Sequence, residues 1–249
     1  MIENQTSSHS VVRLEARRTT GWLMIVVACV SVTGVVLALI DQNDSPGLLG
    51  EALDSLHRLF NPDLEANLAT WFATGLLLGG ALTTALVAKT KWDREDPLRY
   101  HWSGLSLVVL FMSIDEAAQI HEMLIKPTQE LLGVSGATGW VWIVPVLVVV
   151  AVLAVASIRL VKAQSVRTRR TMVLAFGLFL LGAVAIETVG SLLFGSERGL
   201  GFELAAAVEE FFEMSGAVVY LHAMLGLLAS LQVKVAFEEA GRSALRGKT

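Results

Sequence analysis

The sequence predicts an all-α, polytopic integral membrane protein: six transmembrane helices, both termini cytoplasmic, and a short external amphipathic helix between helices one and two. Three observations predict it: six long apolar runs, a shortage of charge, and a one-sided distribution of Lys and Arg. The 249-residue chain is 54% hydrophobic but only 17% charged, against about 25% in soluble chains. That excludes an ordinary cytosolic enzyme and a disordered chain. The net charge of −4 argues against nucleic acid as a partner, which selects a basic surface. The single cysteine, Cys29, excludes an intramolecular disulfide and a multi-Cys metal site.

A helix needs roughly 20 mostly apolar residues to cross about 30 Å of hydrocarbon. Six stretches meet this: Gly21 to Ile40, Ala66 to Ala88, Trp102 to Leu124, Val141 to Val161, Met172 to Phe194 and Leu204 to Leu231. The first is longer than the apolar core of a signal peptide and no small-x-small site comes after it, so it reads as a retained helix. Residues 1–19 and 232–249 are then cytoplasmic tails around a membrane domain of residues 20–231. Of 19 basic residues, only Arg58, Lys126 and Arg198 fall in the odd-numbered loops. This asymmetry places both termini in the cytoplasm and the protein in the plasma (inner) membrane. Between the first two spans, Leu49, Leu53, Leu56 and Phe60 repeat at helical spacing, as an interfacial helix does. Gly75 and Gly79 form a small-xxx-small face in span two. Trp140 and Trp142 mark the outer end of span four as an aromatic belt.

The chemistry lies inside the spans. Span three carries Asp115, Glu116, Gln119, His121 and Glu122; span five carries Glu187; span six carries Glu209, Glu210 and Glu213. A charge at a membrane-helix centre costs about 2.5–3.5 kcal/mol to insert, so seven carboxylates in three helices imply use. At 1.5 Å per residue, Asp115 and Glu213 each lie roughly 14 Å below the outer surface, Glu187 about 10 Å and Glu209 about 8 Å. Helices running in both directions thus bring their acids to one layer of the outer leaflet. Asp115, Gln119 and Glu122 form one stripe, and Glu209, Glu213 and Tyr220 another. His121 fits worst, and joins only if the last turn of span three unwinds.

No Lys or Arg is expected at that depth, so the acids must keep their protons or share metal ions. The inventory resembles in kind the carboxylate-bridged dimetal sites of helical bundles, although the Glu-x-x-His spacing of those sites is absent. Asp115, Gln119, His121, Glu122, Glu187, Glu209 and Glu213 are the expected ligands of one or two divalent or redox ions, with iron, manganese or zinc suited to carboxylate plus imidazole. Glu116, Glu210 and Tyr220 are assigned to catalysis. The expected function is a metal-dependent membrane oxidoreductase or hydrolase acting on a small lipid-soluble or periplasmic substrate. A cation or proton transporter or ion sensor using the same cluster is the alternative, and an accessory subunit is a further one. The bilayer is the expected partner, with room for a homo-oligomer or a membrane complex.

Overall fold

The structure, a computed structural model, describes residues 15–40, 47–61, 64, 67–133, 143–194 and 199–234. Trp140, Trp142, Arg198 and most of the two tails lie outside the described residues. Among the described residues the chain is helical throughout, without strands. The helices are α1 (Ala16–Leu39), α2 (Leu48–Phe60), α3 (Leu68–Asp93), α4 (Arg99–Ala118), α5 (Ile125–Leu132), α6 (Ile143–Lys162), α7 (Val166–Leu180), α8 (Glu187–Phe194) and α9 (Leu200–Ser230). Five continuous segments are long and apolar enough to cross a membrane, counting α7 through α8 as one. A sixth is counted if α4 and the helical stretch Glu122–Leu132, bent by 79° at the break, form one span. The expectation of an unbroken third span to Leu124 is therefore corrected: α4 stops at Ala118.

Local chemistry sets several boundaries. Asn67 caps α3, its side chain accepting from the Thr70 N–H at 2.8 Å and donating to the Asn61 carbonyl at 2.6 Å, so an orphan donor of the first turn is satisfied. Ser165 caps α7 by accepting from the Thr168 N–H at 3.2 Å. Between α3 and α4, Asp96 accepts from Lys91 at 2.7 Å and from the Leu98 N–H at 2.8 Å. The Lys91 hydrogen bond holds the Asp96 carboxyl below its ordinary range. The expected external amphipathic helix is α2. It lies against α1 through the face that includes Gly50, Leu53, His57 and Phe60, leaving Leu49 and Leu56 exposed.

The long helix α9 is the axis of the bundle, packed on α1, α3, α7 and α8. Two apolar clusters form along it. One gathers Trp102, Val109, Leu160, Met172, Tyr220 and Met224. The other gathers Val27, Val30, Ala73, Leu77, Met214 and Val218. α9 approaches its neighbours closely through small residues. A Cβ at Gly216 would lie 2.7 Å from the Phe179 backbone nitrogen, and one at Gly80 3.1 Å from the Tyr220 ring. The expected Gly75/Gly79 packing face is corrected: a Cβ at Gly75 would meet nothing within 4 Å and one at Gly79 only the tip of Leu221 at 4.0 Å. The buried stripe of α3 runs instead through Ala73, Leu77, Gly80, Ala81 and Thr84, rotated from the GLLLG face. Cys29 is exposed on α1 and not a core residue. His57 and His101 lie in α2 and α4 and not in loops.

Candidate functional site

The site begins where α4 fails. Gln119 adopts a left-handed conformation (φ 56°, ψ 39°) and its N–H closes the last turn on the Asp115 carbonyl at 2.7 Å. A left-handed residue ends a helix because the next peptide can no longer reach the carbonyl ladder. The chain then folds back on itself. Asp115 Oδ1 accepts from the His121 backbone N–H at 2.8 Å, and Asp115 Oδ2 lies 3.1 Å from His121 Nδ1. This is the unwinding on which the inclusion of His121 depended. One carboxylate now satisfies a donor freed by the break and also fixes the imidazole.

A second irregular segment faces it. Between α7 and α8 the residues Leu181–Ile186 form a π-helical turn, and Glu187 is the first residue after it. Such turns insert an extra residue and rotate the rest of the helix, and they recur at functional sites. The π-helical turn packs on α9. A Cβ at Gly182 would sit 2.7 Å from both the Glu209 carbonyl oxygen and the Glu213 Cγ. Only a glycine lets the two backbones approach so far, so Gly182 is what brings Glu213 against the π-helical turn.

Electrostatic contacts define the membership. Glu213 lies within reach of Glu116, Glu187, Glu209 and Glu210. Glu116 lies within reach of Asp115 and His121, and His121 within reach of Asp115, Glu122 and Glu187. Acids from α4, α8 and α9 therefore share one region. Among the described residues, however, no three His, Cys, Asp or Glu side chains are arranged to hold a metal ion.

Residues 22–228 match a family described as a domain of unknown function (DUF8692). The chain belongs to that family. No curated protein and no solved structure matches it. The matched stretch of the family contains every residue of the acid layer.

Of the expected site residues, Tyr220 stands apart from the layer, and Glu122 and Glu210 lie at its margin. Tyr220 is buried in the apolar cluster of Trp102 and Met224, its hydroxyl 2.7 Å from Thr84 Oγ1. Seven residues separate it from Glu213, about 10 Å of helix. Glu122 opens the short 3-10 turn after the break and is exposed. Glu210 turns toward α1, in a small crevice lined by Val30, Ser31, Gly34, Phe60, Ala207 and Met214. Gln119 serves the break itself through its backbone. Two polar pairs were not foreseen. His57 Nε2 lies 3.2 Å from Glu203 Oε2, tying α2 to the first turn of α9. Thr20 Oγ1 lies 2.8 Å from His222 Nδ1 between α1 and α9. Neither pair is signalled by spacing, because each joins elements far apart in the chain.

Proposed function

We propose that the protein is a metal-dependent integral membrane enzyme, an oxidoreductase or hydrolase, with the acid layer as its centre. In this reading both termini are cytoplasmic, the membrane is the plasma (inner) membrane, and the layer lies in its outer half. The substrate is small and either lipid-soluble or periplasmic. One observation carries the reading: acids from three helices and an Asp-anchored histidine are brought into one region. Negative groups gathered away from water need a counter-charge, and one or two iron, manganese or zinc ions supply it in a form suited to carboxylate and imidazole. Asp115 fixes the histidine ring through Nδ1, the part an outer carboxylate plays in many metal sites, and His121 would be among the residues that hold the ion. Glu187, Glu209 and Glu213 would complete the set of side chains that hold it. A bound metal would supply Lewis acidity or redox chemistry. The side chains would hold and orient it.

A second reading, a cation or proton transporter, is favoured by the two irregular helix segments. Broken helices at a site inside the membrane are a feature of transporters. Elemental analysis of the purified full-length chain separates the two readings. Stoichiometric iron, manganese or zinc in the wild type, lost in Asp115→Ala/Glu213→Ala while the helical circular dichroism is retained, supports the enzyme. A wild type that takes up none of these metals overturns it, and ion or proton flux in proteoliposomes that the same double variant abolishes then supports the transporter.

A further inference from the structure

The corner joining α3 to α4 carries four basic side chains, Lys89, Lys91, Arg94 and Arg99. Three of them reach an oxygen. Lys89 pairs with Asp93, Lys91 with Asp96 at 2.7 Å, and Arg94 Nη2 donates to the Leu231 carbonyl at 2.9 Å. The Arg99 side chain reaches no carboxylate or carbonyl among the described residues, and its Nε is shut away from solvent without an acceptor. Its guanidinium carbon instead lies 4.7 Å from the centre of the Trp92 ring and 5.2 Å from that of Tyr100. The two rings meet edge to face at 5.0 Å, and Trp92 is steadied by its Nε1 donating to Ser103 Oγ at 3.0 Å. Both rings are exposed, at 42% and 63%.

Aromatic contact stabilises a cation without neutralising it or consuming its N–H donors. The corner therefore positions one positive charge and leaves its hydrogen bonds unmade, while each neighbouring cation is satisfied within the chain. A planar fork of N–H groups matches the oxygens of a phosphate. The setting points to a lipid. Trp and Tyr collect where headgroups meet acyl chains, and this corner joins α3, apolar enough to be a span, to α4, which counts as one together with Glu122–Leu132. The close of α6 brings Arg159 and Lys162 to the same end, since the intervening Leu160 shares a cluster with Trp102.

We propose that Arg99, clamped by Trp92 and Tyr100, binds the phosphate headgroup of an anionic membrane phospholipid. The chemistry recognised is a phosphate oxyanion, and the lipid is its source. The inference rests on the membrane reading and is independent of the acid layer.

The test is native mass spectrometry of the full-length chain released from nanodiscs of phosphatidylcholine and phosphatidylglycerol. The wild type should retain phosphatidylglycerol in preference to phosphatidylcholine. Arg99→Gln should lower that retention about tenfold, the scale of a lost charge-assisted hydrogen bond. Arg99→Lys, which keeps the charge and loses the fork, should fall between. Tyr100→Leu removes an exposed ring with little effect on folding and should also weaken retention. Equal retention by wild type and Arg99→Gln, or none by the wild type, overturns the proposal. So does unchanged retention by Tyr100→Leu. Displacement of the lipid by excess inorganic phosphate overturns the lipid assignment and marks a soluble-oxyanion site instead.

Discussion

Helices α6 and α9 are both long and apolar enough to cross a membrane, yet they stand in opposite relation to the rest of the molecule. The most apolar window of α6 is 11% buried, and that of α9 is 50% buried. The less apolar helix is the central one. In a bilayer this ordering is expected: a helix facing lipid needs an apolar surface all round, whereas a helix surrounded by protein can carry Gly, Ser and Glu, whose partners lie on neighbouring helices. In that setting hydropathy follows exposure to lipid, and the dips in it mark where the protein packs. α9 carries Glu209, Glu210 and Glu213 toward one end and Tyr220 and Met224 further along. α6 leaves Val148, Val152 and Val155 exposed.

This contrast is open to attack by mutation, with unfolding of the full-length chain in mixed micelles as the measurement. The largest effect belongs to α9. Met224 is fully buried among Trp102, Met172 and Tyr220, and Met224→Ala should cost about 2–5 kcal/mol through the cavity it leaves. Next is Gly216→Ala, whose new methyl would sit 2.7 Å from the Phe179 nitrogen and 2.8 Å from the Ala175 carbonyl. Overpacking against backbone of this kind should cost about 1–3 kcal/mol. Tyr220→Phe deletes the hydroxyl bonded to Thr84 at 2.7 Å and keeps the ring against Phe176. A loss of about 1 kcal/mol is expected. The smallest effect is in α6, where Val152→Ala should change stability by no more than about 0.5 kcal/mol. A cost there as large as that of Met224→Ala would break the comparison and show that α6 is covered, by a second copy of the chain or another membrane subunit.

Much of the fold was legible in the sequence. The first, second, fourth, fifth and sixth apolar runs all correspond to helices long enough to span, because a run of that length admits few other solutions. The amphipathic helix between the first two spans was legible from its apolar period. Both breaks in regularity were hidden. Nothing in Asp115 to Glu122 marks Gln119 as left-handed. The residue is not a glycine, and the conformation is held by Asp115 reaching across six residues to the His121 N–H. The π-helical turn before Glu187 was equally silent, since its cause is the close passage of Gly182 over α9. In span two the GLLLG spacing indicated the wrong face. Small residues allow close approach on any side, and Tyr220 selected Gly80.

The acids were legible as an inventory, because position along a helix follows from a constant rise per residue. Their separation into parts was not. Helical angles place Glu209, Glu213 and Tyr220 on one stripe, but Tyr220 pairs with Thr84 in a different cluster, and Glu210 turns toward α1.

By itself, the sequence determined that the chain is helical and where its apolar segments and their carboxylates lie, since each of these depends on residue type and distance along a helix. The tertiary structure alone decided which helix is the centre, where α4 breaks, and which acids meet. Those outcomes depend on side chains from distant segments competing for the same space, and one-dimensional spacing carries no record of that competition.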